Sequence, residues 1–80
     1  MNIKYDPESG AGYIRVREGR YRESLEIASG CYLAIDEDGQ VLGLEFLSLE
    51  ELAEVTATYG GSLDLPDRVK DPEAFHLSKA

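Results

Sequence analysis

The sequence predicts an α+β fold: an antiparallel five-stranded β-meander, one α-helix packed on the sheet, and a C-terminal tail with a short helix. Three observations predict it. Five short alternating segments between residues 2 and 46 are separated by turn residues. Ser48-Leu49-Glu50-Glu51 reads as a helix start ahead of apolar residues at helical spacing. No connection between the strands is long enough for the helical crossover that a parallel pair needs. Eighty residues make one domain, and a chain of that size buries only roughly 60% of its unfolded surface. At ~0.05–0.15 kcal/mol per residue its stability is about 4–12 kcal/mol.

Asn2-Ile3-Lys4-Tyr5-Asp6 alternates, with Ile3 and Tyr5 on one face. Pro7 cannot donate to a ladder and ends this strand. Glu8 to Gly12 forms a turn. Tyr13-Ile14-Arg15-Val16-Arg17 alternates again, Ile14 and Val16 inward and both arginines outward, at hairpin spacing from the first strand. Glu18-Gly19-Arg20 turns the chain into a third strand, Tyr21 to Ile27, with Leu25 and Ile27 inward. Ala28-Ser29-Gly30 breaks it.

The next two strands form a hairpin around Asp38-Gly39. Asp-Gly between alternating apolar residues favours a type I′ turn, which needs φ > 0 at both central residues. A two-residue loop sets Ile35 against Leu42, Leu33 against Leu44 and Cys31 against Phe46, so all six share the core face. A loop of odd length misaligns the apolar faces, because side chains alternate with period two. An even loop is therefore expected. The opposite face of this hairpin, Tyr32, Ala34, Val41, Gly43 and Leu47, is also rather apolar. One helix cannot cover both faces, so a partner subunit is expected there.

Ser48 as N-cap and Glu51 three residues on make a capping box. Glu50, Glu51 and Glu54 suit the positive end of the helix dipole. Leu49, Leu52, Ala53 and Thr56 form a stripe, flanked by Val55 and Tyr59, and Gly60-Gly61 stops the helix near residue 59. Residues 1–61 thus form the meander-plus-helix domain. Residues 62–80 form a tail, with Asp71 as cap and Pro72 as the first position of a short helix. Its Leu63, Leu65, Val69, Phe75 and Leu77 dock on the same domain, on a twin subunit or on a foreign partner.

The formal net charge is −8. An acidic field repels phosphate backbones and anionic lipids, which argues against nucleic acid and membrane surfaces and for basic partners. One cysteine excludes an internal disulfide, and with no secretory signal pattern or long apolar run a reduced, cytoplasmic location is expected.

Little in the chain points to catalysis. Asp36-Glu37-Asp38-Gly39 superficially resembles a calcium loop, but glycine falls fourth instead of sixth, and Leu47 stands where the bidentate glutamate belongs. His76 has no cysteine or second histidine nearby for a zinc set, and reads as a surface side chain. Cys31 lies on the apolar face without a base or helix N-terminus to activate it, and reads as core. No metal or cofactor is expected. Arg15, Arg17, Arg20 and Arg22 make a basic patch. It suits either an anion contact beside Tyr13 and Tyr21 or simple cross-strand pairing with Glu18, Glu23 and Glu26.

The order Lys4-Tyr5-Asp6-Pro7-Glu8, Ala11-Gly12-Tyr13-Ile14-Arg15, Glu23-Ser24, Ile35-Asp36-Glu37-Asp38-Gly39 and Val41-Leu42-Gly43-Leu44-Glu45-Phe46-Leu47 resembles the small prokaryotic family of domain of unknown function 2283. The resemblance covers residues 3 to about 53 and implies a compact β-meander with a following helix. It implies no catalytic residue. Because members resemble components encoded beside small toxin-like proteins, it suggests an antitoxin-like role. The resulting expectation is a non-enzymatic interaction module, a homodimer that takes a small basic partner. Its contact residues are drawn from Tyr13, Arg15, Arg17, Tyr32, Val41, Leu47, Phe75 and Leu77. The alternative is a small-ligand binder or enzyme that uses the Arg/Tyr face of the second strand.

Overall fold

A computed structural model describes residues 2–75 and 77. It contains strands β1 (Asn2–Tyr5), β2 (Gly12–Arg15), β3 (Glu23–Ala28), β4 (Cys31–Ile35) and β5 (Val41–Phe46). Helix α1 (Leu49–Thr58) and a 3₁₀ turn (Pro72–Ala74) follow. All strand pairs are antiparallel in one open sheet, as expected. The order is β1-β2-β5-β4-β3. A single uninterrupted meander would pair β2 with β3, but β5 takes that place. Five of the six β5 residues are buried, on both faces of the strand, whereas β1 is exposed throughout and β3 carries Glu23 and Glu26. The most fully buried strand therefore lies at the centre, where it gains neighbours on both sides and both faces are covered.

The link 16–22 crosses the sheet end to reach the far edge. The Val16 and Arg17 amides both donate to the Leu42 carbonyl, at 2.9 and 3.2 Å, and the Arg22 amide donates to the Ile35 carbonyl at 2.8 Å. The third strand begins at Glu23 instead of Tyr21 because its first residues belong to this link.

The β4–β5 hairpin corrects the register expected at its tip. Cys31 faces Phe46 and Leu33 faces Leu44, as the alternation requires, but Ile35 pairs with Val41 instead of Leu42. The loop is odd. The Asp36 amide donates to the Gln40 carbonyl and the Gly39 amide to the Asp36 carbonyl, each at 3.1 Å, which leaves Glu37, Asp38 and Gly39 as a three-residue loop. This is a type I-like turn closed by a left-handed glycine, the second favoured hairpin geometry. The Asp36 carboxylate supports it by accepting from the Asp38 and Gln40 amides, both at 2.9 Å. Parity is restored by a bulge at Leu42, which has no partner in the ladder. The bulge exchanges two faces: Val41 enters the core and Leu42 turns to the opposite side.

The core lies on one face. Leu33, Ile35, Val41, Leu44 and Val69 form one buried cluster, and Cys31, Phe46 and Val55 form a second; Ile27, Leu52 and Leu63 touch both. The tail docks on its own sheet here, Leu63, Leu65, Val69 and Phe75 covering what the helix does not. The Val69 amide donates to the Gly39 carbonyl at 2.7 Å, and the Val41 amide to the Asp67 carbonyl at 2.9 Å.

Helix α1 starts as the capping box predicts: the Glu51 amide donates to Ser48 Oγ, and Ser48 Oγ donates to Glu51 Oε1, both at 3.1 Å. It stops at Gly60 and Gly61, both at positive φ. Its buried line is Leu52, Val55 and Tyr59, whereas Leu49 and Ala53 of the expected stripe are exposed. Asp71 caps the 3₁₀ turn, accepting from the Glu73 amide at 3.2 Å, with Pro72 at its first position.

Candidate interaction surface and polar face

On the helix face, α1 and the tail cover β3, β4 and β5, and the sheet continues beyond them. The line Ile3–Ile14–Leu44 runs across three paired strands from open to closed. Leu44 is buried, Ile14 half-buried and Ile3 64% exposed; Val16 beside them is 45% exposed. Together with Leu52 and Leu65 these residues bound an open groove of about 540 Å³. Leu49, 52% exposed, and Ala53 lie on the same helical stripe as Leu52 and Thr56, which line that groove.

The two sheet edges differ. On β3 the edge is blunted by Glu23, Glu26 and a bulge at Ile27. On β1 there is no bulge, all four residues are exposed, and the outward backbone groups have no strand partner.

The opposite face is mixed polar and aromatic. Tyr13 stands on β2 and its ring lies over Gly43, where a Cβ would come 2.6 Å from the tyrosine hydroxyl. Burial, and secondarily the Glu45 carboxylate, raise the Tyr13 pKa above its ordinary 10.0. Ser24 Oγ donates to Glu45 Oε1 at 2.5 Å and shares a 2.8 Å hydrogen bond with the Tyr21 hydroxyl. The cross-strand ion pairs expected of the arginines do not form. Among the described residues Arg15 pairs only with Glu18, three positions along the chain, at 3.7 Å. With its amide nitrogen assigned to Asp36 Oδ2, Gln40 accepts from Arg17 at 3.2 Å.

The residues singled out in the sequence therefore scatter. Tyr13, Arg15 and Arg17 share the polar face and line one depression, with Leu47 at its far end. Tyr32 is half-buried on that face, paired across from Glu45. Val41, expected on this second face, is 1% exposed in the core, moved there by the bulge. Phe75 packs against the core as part of the docked tail, and the Leu77 carbonyl accepts from the Tyr59 hydroxyl at 3.4 Å, so both serve the chain's own fold. His76 lies outside the described residues.

Sequence reasoning missed Leu65 and Leu52 as groove walls, and Ser24 and Glu45 as the anchor of Tyr21. The alternation did place Ile14 and Val16 on the correct face and Ile3 with Tyr5 on a single face, but it held no sign that the helix would stop short of them.

Cys31 is buried, and burial, then Glu51, push its thiol above the ordinary value. A raised pKa keeps it protonated, the opposite of an activated nucleophile. Among the described residues no cluster of three or more His, Cys, Asp or Glu is placed to hold a metal, and no helix is long and apolar enough to cross a membrane.

No curated protein and no solved structure matches the chain. The family described as protein of unknown function, DUF2283, matches residues 2–49, which take in all five strands and end where α1 begins. With well over half of its length inside that match, the chain belongs to the DUF2283 family.

Proposed function

We propose that this protein is a non-enzymatic interaction module that pairs with a second copy of itself through β1 and the apolar groove beside it. The observation that carries the reading is the uncovered sheet end: Ile3, Ile14 and Val16 continue the core surface past the reach of helix and tail. An edge strand without a bulge, next to such a surface, is the arrangement that strand addition uses, backbone hydrogen bonds giving affinity and alternate side chains filling the groove. Antiparallel pairing of β1 with its twin is self-complementary, as a two-fold interface requires. It extends the sheet and sets Ile3 and Tyr5 of each copy beside the other's groove. For a chain with so small a core, this burial is a natural source of added stability.

The acidic surface supports a further step, capture of a small basic protein in an antitoxin-like complex. Its net charge of −8 favours encounter with a basic partner.

Multi-angle light scattering tests the pairing. A mass of twice 8.8 kDa is expected, and the double variant Ile3→Lys/Val16→Lys, which touches only exposed positions, should give single chains with the amide spectrum of β3, β4 and β5 unchanged. A wild-type mass of one chain at every concentration removes the self-pairing reading. Co-expression with the product of the adjacent gene tests the second step: a complex that weakens as salt rises supports it, and neither co-purification nor relief of toxicity ends it.

A further inference from the structure

The face away from the helix holds a depression of about 460 Å³ between β2, β5 and the link 16–22. Its floor is apolar, made by the buried Ala34 and by Leu42, which the hairpin bulge turns to this side. Tyr13 and Tyr21 flank it and Arg15 and Arg17 line it.

Tyr13 is held before any ligand arrives, because its ring lies on the bare backbone of Gly43. Tyr21 is 59% exposed, and its hydroxyl is hydrogen-bonded to Ser24, which donates to Glu45. An aromatic wall fixed as Tyr13 is offers contact area with little rotamer freedom left to lose.

The arginines keep unused binding capacity. The partner of Arg15, Glu18, has a side chain 87% exposed and stands 3.7 Å away, so water screens the pair. Arg17 makes no ion pair among the described residues and meets only the Gln40 amide. Two arginines thus line a depression with an apolar floor in a chain that is otherwise strongly acidic. Glu45 lies toward the opposite end, since it pairs with Tyr13 while Arg15 pairs with Gly43.

The geometry points to a binding site for a flat aromatic anion. Its ring would rest on Ala34 and Leu42 between the two tyrosines, and its carboxylate or phosphate group would sit on the forks of Arg15 and Arg17. Planar guanidinium groups take either anion in bidentate fashion. Glu45 repels the anionic group and so sets the ligand's direction. The site uses the face opposite the groove proposed for self-pairing; Arg17, at the sheet end, borders both, and neither reading depends on the other.

Titration of ¹⁵N-labelled full-length protein with indole-3-carboxylate and, separately, phenyl phosphate tests this, with neutral indole-3-carboxamide as control. Saturable shifts are expected at the Tyr13, Ala34, Leu42 and Glu45 amides. The neutral amide should bind about tenfold more weakly or worse, as loss of a charge-assisted contact implies. The variant Arg15→Gln/Arg17→Gln should lose about as much with the remaining spectrum intact. Tighter binding of one anion over the other identifies which group the site takes. Three outcomes overturn the proposal: no saturable shift with either anion, equal binding of the neutral amide, or shifts confined to Ile14, Leu52 and Leu65 in the groove.

Discussion

At Gly39 the backbone has φ +79°, and a Cβ would come 2.2 Å from the Val69 carbonyl oxygen. The hairpin turn asks for the left-handed conformation, and the docked tail asks for an empty space beside it. Gly39→Ala should therefore cost about 2–3 kcal/mol, at the upper end for a strained single residue, read as a lower urea midpoint. Leu33, fully buried beneath helix and tail, should cost about 2–5 kcal/mol as Leu33→Ala. Asp6 organises the β1–β2 turn: its carboxylate accepts from the Glu8 amide and the Ser9 hydroxyl, each at 3.0 Å, and these bonds hold its pKa below the ordinary 3.8. A depressed acid stabilises the fold above its unfolded value and loses that contribution as pH falls through the folded value. Asp6→Asn should flatten the loss of stability below pH 3.8, and a carboxyl titration by NMR should give a midpoint under that value.

Single elements depend on partners distant in sequence. The capping box of α1 is local, and Ser48→Ala should cost about 1 kcal/mol by thermal melting. Glu51 does more than cap: its carboxylate sits over Gly30, at positive φ in the β3–β4 turn, and accepts from Ser29 at 3.4 Å. Helix start and strand turn are thereby fastened together. The β4–β5 hairpin shows how two irregularities combine. An odd loop alone would have turned the apolar residues outward, and the Leu42 bulge returns Leu44 and Phe46 to the core. Val41→Asp should therefore unfold the protein, whereas Tyr32→Asp, on the half-exposed face, should remain folded by circular dichroism.

For the whole molecule, the tail is part of the core. Val69 belongs to the main buried cluster, and Leu63, Leu65 and Phe75 cover it. Truncation after Gly61 exposes Leu33, Ile35 and Val41, and should abolish cooperative unfolding. If the truncated chain melts cooperatively near the full chain's temperature, the docked tail is dispensable and is no part of the core. The proposed self-pairing through β1 predicts a second whole-molecule effect: the melting temperature should rise with protein concentration, and Ile3→Lys/Val16→Lys should remove that dependence.

The local features are legible in residue order: five strands, the capping box at Ser48 and Glu51, the glycine stop at residues 60 and 61, the Asp71–Pro72 turn, and the pairing of Cys31 with Phe46 and Leu33 with Leu44. Each rests on side-chain period or on backbone groups a few residues apart, which the chain carries in its order. The rest follows from long-range packing. Packing placed β5 between β2 and β4, where both faces of that strand are buried. It moved Val41 inward and Leu42 outward through a bulge whose parity no alternating pattern records. It set the tail on the chain's own sheet, and left Ile3, Ile14 and Val16 beyond the helix. The same interior is open to many segments of similar apolarity. Which one fills it depends on the summed burial of the whole molecule, and residue order alone does not encode that sum.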